Sequence, residues 1–327
     1  MNIYVVIPTN RSVNFLSSWG SEFSNATILI IEDSSKKSIS IPNVPCKKII
    51  HISHEEIIKD VGVVDWIFPR HSAAVRSYGF YKAYQNGADM VVTLDDDCYF
   101  YEENFLDKHA ENLSYTMPKH WFPTFPYPDH MYTRGFPYEV RDKMPVALSH
   151  GLWVGIPDFD GITQLKNPQY RTEILPSSRY PIPVGYYFPM SSMNIAFKRE
   201  IVPLMYQALM GTDEDNVSWG FDRFDDIWCG VFAKKILDHL GLGVINGLPH
   251  VLHKRASNPH TNVLKESTGM KVNEELWTRV NNVSLTKNTP NDCYRELNKK
   301  LDYPDHPYFV KLRKAINLWL HLFDEVK

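Results

Sequence analysis

The sequence predicts an α/β fold in which helices cover a mostly parallel central sheet. Over the first hundred residues, short β-branched runs alternate with helical spacing, as they do in βαβ units. The runs Ile3–Ile7, Ala26–Ile31 and Met90–Leu94 are almost entirely apolar, which is typical of strands buried on both faces. The chain has 327 residues, 43% of them hydrophobic and 22% charged, so it can bury one large α/β core or two smaller ones.

Further elements follow from local patterns. Lys47–Ile52 and Val244–Leu252 complete the predicted strands, and the latter ends at His253. Ser72–Gln85 has the spacing of a helix and stops near Gly87.

Two more helices are predicted in the second half of the chain. Asp225–Leu240 carries large apolar residues at every fourth position, and Gly241 supplies a stop. Pro307–Val326 is amphipathic, and its apolar face either docks on the core of the same chain or forms a subunit interface. That face contains Phe309, Leu312, Ile316, Trp319, Leu320 and Phe323.

The middle of the chain, from about Met117 to Pro189, is rich in proline and aromatic residues. This composition predicts aromatic-lined loops with few regular elements. Long ordered loops of this kind usually belong to binding sites, so we expect the segment to contribute to one.

Composition narrows the class of protein. A net charge of -3 weighs against a nucleic-acid binder. Four scattered cysteines without a CxxC pair predict reduced thiols and a cytoplasmic location. The N-terminus reads as a strand rather than a signal peptide, and no apolar run approaches the roughly 20 residues that span a bilayer. Peripheral membrane association and a homo-oligomer both stay open.

Polar residues follow three of the predicted strands. They are Pro8, Thr9, Asn10 and Arg11 after the first, Glu32 and Asp33 after the second, and Asp95, Asp96 and Asp97 after Met90–Leu94. Ligands in parallel sheets bind at the carboxyl ends of the strands. We therefore expect these segments to converge on one crevice.

The acidic triplet has two interpretations. Alternate residues of an extended segment point the same way, so Asp95 and Asp97 can face one divalent cation together. The other interpretation is a solvated acidic turn. His253 is either a further metal ligand or a histidine with only a structural role.

Two other charged segments also have two interpretations each. Asp225 and Asp226 begin a predicted helix after Arg223, so they either compensate the helix dipole or bind sugar hydroxyls and act as a base. Arg70 and Arg76 flank a predicted N-cap and either meet a diphosphate or form a solvated arginine pair.

Seven segments, in order along the chain, are similar to one family. They are VIPTNR, TLDDDCYF, TRGFPYEVR, SHGLWVGIPDFD, FPMSSMNIAF, RFDDIWCG and HKRASNP. On them the chain resembles the reversibly glycosylated polypeptides, UDP-arabinopyranose mutases best known from plants, over nearly its full length. Tyr138 replaces a phenylalanine, Lys254-Arg255 replaces Ser-Lys, and the segment around Arg70 differs, which leaves the sugar open and suggests a microbial member.

The resemblance implies a GT-A-type glycosyltransferase fold over residues 1–265, with a helical extension over 266–327. It implies Mn²⁺ or Mg²⁺ at Asp95, Asp97 and His253, and a reversibly glycosylated arginine at Arg134, with Arg141 in the same segment. A flavin is not expected, because no G-x-G-x-x-G follows the first strand.

The function expected from the resemblance is a mutase that interconverts pyranose and furanose forms of a UDP-pentose and glycosylates itself. Its substrate would be UDP-arabinose, UDP-glucose, UDP-galactose or UDP-xylose. The alternatives are a glycosyltransferase with a separate acceptor and a non-catalytic scaffold.

The expected nucleotide-binding residues are Pro8, Thr9, Asn10, Arg11, Glu32, Asp33, Arg70, Arg76, Asp95 and Asp96. The expected sugar-binding residues are His150, Gly151, Trp153, Asn194 and Trp228, and the catalytic ones are Arg134, Arg141, Arg223, Asp225 and Asp226.

Overall fold

Ten strands and eight helices make up the regular part of a computed structural model that describes residues 1–125, 131–173, 175, 177–213, 215–254 and 257–324. The strands are Ile3–Thr9 (β1), Ala26–Glu32 (β2), Lys48–Ile52 (β3), Met90–Leu94 (β4), Cys98–Tyr99 (β5), Thr116–Met117 (β6), Met144–Gly155 (β7), Arg179–Pro181 (β8), Asn194–Lys198 (β9) and Gly243–His253 (β10). The helices are His54–Val61 (α1), Arg76–Gln85 (α2), Phe105–Ser114 (α3), Gly161–Lys166 (α4), Asp225–Leu240 (α5), Pro259–Asn281 (α6), Pro290–Lys300 (α7) and Pro307–Leu322 (α8).

All ten strands belong to one sheet, in the order β3-β2-β1-β4-β9-β7-β10-β5, with β6 on β7 and β8 on β10. The α/β class is confirmed. The strands β1, β2, β3, β4, β7 and β10 run in one direction, as expected of a mostly parallel sheet. β9 runs antiparallel to both β4 and β7, and β5, β6 and β8 are antiparallel additions. β9 begins at the end of the sheet where β7 finishes, so β9 runs in the opposite direction to β7.

The predicted strands and helices of the first hundred residues are confirmed with small shifts. β1 continues through Pro8, which pairs with Ile31 of β2. On its other side β1 pairs with β4 only as far as Val6. A proline is tolerated there because no N–H is required on the β4 side. The continuation brings Thr9 to the carboxyl edge of the sheet.

The middle segment is only partly a loop, because it contains β7, the longest strand. β7 was not predicted, since the polar residues Ser149 and His150 interrupt its apolar pattern. Both are buried and satisfied: Asn112 donates to Ser149 Oγ at 2.8 Å, and His150 Nδ1 bonds Asn246 Oδ1 at 2.8 Å. Buried polar groups with partners are compatible with a central strand.

The C-terminal helix α8 docks on the core of its own chain. Trp319 is fully buried, packs against Phe68 and Tyr206, and donates its Nε1–H to the carbonyl of Pro203 at 2.8 Å. The boundary expected between residues 265 and 266 falls inside α6, so the C-terminal helices extend the same core. In the described part of the chain, no helix is both long and apolar enough to cross a membrane. All four cysteines are unpaired.

Candidate active site

A cavity of about 1350 Å³ opens at the carboxyl ends of β1, β4, β7 and β10. A recess of about 200 Å³ adjoins it. Arg11, Ser72, Asp95 and Asp97 line both spaces. The structure therefore brings the polar strand ends of the sequence together, as the parallel part of the sheet requires.

The recess is bounded by the ends of β1 and β2. Its lining includes Pro8, Thr9, Asn10 and Asp33. Asp33 is anchored from two sides: one oxygen lies 2.8 Å from His54 Nε2, and the other accepts the backbone N–H of Ser72 at 3.0 Å.

The three acids of the triplet have different partners, and these contacts offset the repulsion between the three negative charges. Asp95 pairs with Arg76 at 2.5 Å, and Asp97 pairs with Arg11 at 2.8 Å. Asp96 points inward, where it contacts Arg11 and accepts from Thr9 Oγ1 at 2.6 Å. Burial and the charge of Asp95 raise the pKa of Asp97 to about 6.

His253 is oriented toward Asp97. Its Nδ1 lies 2.6 Å from the carbonyl of Ile156, which requires a proton on Nδ1 and leaves the lone pair on Nε2. Nε2 is 3.6 Å from Asp97 Oδ1. Within the described ranges, no group of three His, Cys, Asp or Glu side chains is close enough to hold a metal ion as placed. The donor types nevertheless fit a divalent cation, since a carboxylate and an oriented imidazole face each other beside Asp95.

Arg76 is the most heavily bonded cation of the cavity wall. It is buried, and it donates to Ala73 O at 3.0 Å, Thr93 Oγ1 at 3.0 Å, Ser192 O at 2.7 Å and Asp95. Burial alone would lower the pKa of Arg76, but the carboxylate of Asp95 more than offsets it. Arg76 therefore supplies a fixed positive charge at the end of β4.

Asp225 and Asp226 form the first turn of α5 and line the cavity. Asp226 Oδ2 accepts the backbone N–H of Ser192 at 2.8 Å. Burial raises the pKa of Asp225 to about 6, and burial together with the charge of Asp225 raises the pKa of Asp226. Both carboxyl groups face the cavity, so they are placed to contact a ligand as well as to compensate the dipole of α5.

Asp158 is a further carboxylate of the cavity, in the loop after β7. It accepts from Ser191 Oγ at 3.1 Å and lies 3.8 Å from Arg223, whose Nε is bonded to Glu266 at 2.8 Å. Burial raises the pKa of Asp158, opposed by Arg223. Asp158 was not predicted because β7 was not predicted. Had that strand been recognised, an acid just after its end would have been a candidate site residue.

Two expected nucleotide-binding residues are used inside the protein. Glu32 is buried and accepts from the side chains of Ser34 and Ser38 and the backbone of Ile39, so it does not face the recess. Arg70 turns toward Asp65, at 2.7 Å, and lines neither cavity. Both assignments are corrected.

The expected sugar-binding residues are mostly structural, and only Trp153 lines the cavity. His150 accepts the N–H of Ser191 at 3.1 Å from beneath the site. Asn194 is buried and donates to the carbonyls of Leu152 and Pro249, both at 2.9 Å.

Gly151 and Trp228 are corrected for the same reason. A Cβ on Gly151 would lie 2.2 Å from Asn194 Nδ2, so the residue serves close packing. Trp228 is buried between Phe224 and Phe309 and donates to Asn273 Oδ1 at 3.1 Å.

The segment with Arg134 and Arg141 lies at the N-terminal end of β7, whereas the cavity lies at the C-terminal end of that strand. It precedes Met144, the first residue of β7, whereas Trp153 marks the cavity end; nine residues of strand separate them by about 30 Å. Arg134 is exposed at a turn where Gly135 has φ +97, and it lines neither cavity. Arg141 stacks on Tyr138, 3.9 Å from the ring centre, and so stabilises its own loop. Neither arginine lines the cavity or the recess of its own chain, and the catalytic role expected of both stays a prediction. Of the segment HKRASNP, Arg255 and Ala256 lie outside the described residues.

An acid-lined cavity at the carboxyl ends of the strands is the arrangement of α/β enzymes that bind nucleotides. The family model described as reversibly glycosylated polypeptide matches residues 1–327. The chain belongs to this family of enzymes.

Similar curated proteins come from plants. A probable UDP-arabinopyranose mutase 1 of Solanum tuberosum is 35% identical over 98% of this chain and 90% of its own length. UDP-arabinopyranose mutase 1 of Arabidopsis thaliana is 34% identical over 98% of this chain and 92% of its own length.

Solved structures give a more distant likeness. Glucosyl-3-phosphoglycerate synthase of Mycobacterium tuberculosis, in complex with Mn²⁺, UDP and glucosyl-3-phosphoglycerate, has a TM-score of 0.41 and 12% identity, covering 93% of this chain and 81% of that one. Its complex with Mg²⁺ and UDP has a TM-score of 0.41 and 13% identity, covering 93% and 80%.

Proposed function

We propose that this enzyme is a UDP-sugar mutase that interconverts the pyranose and furanose forms of a UDP-pentose such as UDP-arabinose. The observation that carries the proposal is the pairing of a base-sized recess with a large acid-lined cavity at one sheet edge. The full-length relationship to proteins named UDP-arabinopyranose mutases supports the sugar class.

The recess suits uracil, and Asp33 is its proposed partner. A carboxylate is a pure acceptor and matches the N3–H of the base. Asp33 is held in place by His54 and Ser72, so it meets the base without reorganising. Pro8, Thr9 and Asn10 form the adjoining wall.

The diphosphate belongs where the two spaces meet, next to Arg11 and Arg76. Asp95, Asp97 and His253 would hold a divalent cation, Mn²⁺ or Mg²⁺, which when bound supplies positive charge to the diphosphate. Arg76 adds a fixed charge that stabilises the departing UDP. We also propose that the part of the chain that forms the recess and the cavity is a GT-A-type domain.

The sugar then lies in the large cavity, next to Trp153 and the carboxyl groups of α5. Cleavage of the bond to UDP leaves C1 cation-like, and nearby carboxylates stabilise that charge. The unpaired cysteines support the proposed cytoplasmic location.

Reversible glycosylation of Arg134 forms a separate part of the proposal. Arg134 is exposed and lies on the sheet edge away from the cavity, which supports transfer between two copies of the chain rather than within one. A homo-oligomer or a transient encounter of copies would serve this transfer.

A glycosyltransferase with a separate acceptor is the second candidate. The cavity volume of about 1350 Å³ favours it, because ligand pockets usually measure about 300–1,000 Å³ and the excess could admit an acceptor.

One assay separates the two candidates. The protein is incubated with UDP-arabinopyranose and Mn²⁺, and the nucleotides are resolved by chromatography. A furanose nucleotide supports the mutase; transfer to an added glycan without a furanose nucleotide supports the glycosyltransferase. EDTA and Asp97→Asn should abolish turnover, while Asp305→Asn, at an exposed carboxylate outside the cavity lining, should retain it. Full activity in EDTA contradicts the metal.

A further inference from the structure

We propose that Asp158 and Asp226 are an acid–base pair that exchanges the ring oxygen of the sugar while the sugar stays in the cavity. The inference rests on the proposed mutase function and adds its proton-transfer step. Asp158 thereby becomes a catalytic residue.

Two consecutive serines anchor the two carboxyl groups. Ser191 Oγ donates to Asp158 at 3.1 Å, and the backbone N–H of Ser192 donates to Asp226 at 2.8 Å. The serines are themselves fixed, because the Ser191 N–H donates to His150 and the Ser192 carbonyl accepts from Arg76. Asp158 and Asp226 are thus held on one rigid two-residue stretch, and both face the cavity that the sugar would occupy.

The surroundings of the two carboxyl groups differ. Asp158 lies 3.8 Å from Arg223, a cation that favours its ionised form. Asp226 follows Asp225 and accepts its hydrogen bond from a backbone N–H, and the neighbouring negative charge favours its protonated form. Burial raises the pKa of both carboxyl groups, but Arg223 counteracts the rise at Asp158 while Asp225 adds to it at Asp226. Asp158 is therefore the better suited of the two to serve as the base and Asp226 to serve as the acid.

Ring contraction requires this chemistry. When the C1–O bond to UDP breaks, the O4 hydroxyl attacks C1 and Asp158 accepts its proton, so C1 carries both O4 and O5 in a bridged acetal. Asp226 then gives a proton to O5 as the C1–O5 bond breaks, and the same diphosphate captures the resulting furanosyl cation. One proton is taken from O4 and one is given to O5. The pair is reset when the proton on Asp158 returns to Asp226 through solvent.

The test separates bond cleavage from ring exchange. UDP-arabinopyranose labelled with ¹⁸O in the bridge between C1 and the β-phosphorus scrambles its label whenever the C1–O bond breaks and re-forms, whether or not the ring changes. In Asp158→Asn and Asp226→Asn, we expect ring contraction to fall by about 100-fold or more, while scrambling stays within about tenfold of the wild type. Asp305→Asn should change neither rate.

Other results overturn the proposal. Ring contraction within about tenfold of the wild type in either variant contradicts it, and so does a parallel loss of scrambling, which would place the acids in bond cleavage or folding. If a variant unfolds, Ser191→Ala decides: it keeps both carboxyl groups but frees Asp158, and it should slow ring contraction by about tenfold and spare scrambling. Scrambling without any furanose product in the wild type refutes the mutase function itself, independently of the variants.

Discussion

Arg76 and Asp95 form an ion pair of 2.5 Å at the carboxyl end of β4, and the arginine is almost completely buried. The pair explains why three consecutive acids are tolerated after an apolar strand. It also ties α2, which Arg76 begins, to the strand that carries the triplet.

Arg76→Lys should be both less stable and less active. An ammonium keeps the charge but cannot reproduce the planar donors that reach Asp95, Thr93 and Ser192. We expect a loss of about 1–3 kcal/mol in the free energy of unfolding, measured in urea, and a fall in turnover of at least about tenfold. Arg199→Lys is the matched control, because the side chain of that exposed arginine makes one long hydrogen bond, to the carbonyl of Tyr84, and stacks on the ring of the same residue. Equal stability of the two variants would contradict the role of Arg76.

Asp225 should give the metal-free protein a pH-dependent stability. Its pKa is raised to about 6 in the folded state, above the ordinary value near 3.8. Between about pH 4 and pH 6 the folded protein therefore retains a proton that the unfolded chain has released, and stability falls as the pH rises through this window. In Asp225→Asn, the decrease in the free energy of unfolding across this window should be smaller by about 1–2 kcal/mol, a range that allows for the partial exposure of the Asp225 side chain. Unfolding at pH 4.5, 5.5 and 6.5 measures it, and an unchanged slope contradicts the assignment.

Asp33 should control nucleotide affinity. Loss of a hydrogen bond to a charged group costs about 1.5–3 kcal/mol, so Asp33→Ala should weaken UDP binding at least about tenfold in calorimetry. Glu32→Gln is the neighbouring control: its carboxylate faces the interior, so the change should lower stability and spare affinity. Asp33→Ala affinity within about twofold of the wild type would remove Asp33 from the uracil site.

The sequence predicts elements well where local pattern decides the structure. β4 and α5 have their predicted bounds because apolar residues, caps and a terminal glycine act within the segment. β7 depends instead on partners from distant parts of the chain, such as Asn112 and Asn246, which allow polar residues into the sheet. The same limit affects the site: strand-end residues could be placed, but the direction of Arg70 is set by Asp65 and that of Glu32 by its own loop.

Gly151 distinguishes a structural role from a sugar-binding one. A Cβ there would lie 2.5 Å from the carbonyl of Pro249, backbone that cannot move aside easily. Gly151→Ala should cost about 1–3 kcal/mol or more. Gly87→Ala, at a positive φ with no atom near its Cβ, should cost only about 1–2 kcal/mol. A change in sugar affinity at unchanged stability would restore the sugar-binding assignment.

Arg134 should accept sugar from another copy of the chain. Incubation with a UDP-pentose should add one sugar mass, and excess UDP should remove it. Arg134→Lys should not be labelled, because an ammonium lacks the planar guanidinium. Arg141→Lys should still be labelled, since Arg141 stacks within its own loop.

A mixing experiment decides between transfer within and between copies. Asp97→Asn retains Arg134 but should not turn over, whereas Arg134→Lys retains the cavity. Alone, neither variant should become labelled; mixed, the Asp97→Asn chain should gain the sugar, because its exposed Arg134 can reach the cavity of the other chain. Peptide mapping identifies the residue and the chain. Label on wild-type protein combined with none in the mixture would mean that Arg134 reaches its own cavity, which requires the segment before β7 to move from one sheet edge to the other. Label on a different residue would remove Arg134 from the reaction and leave the cavity assignments intact.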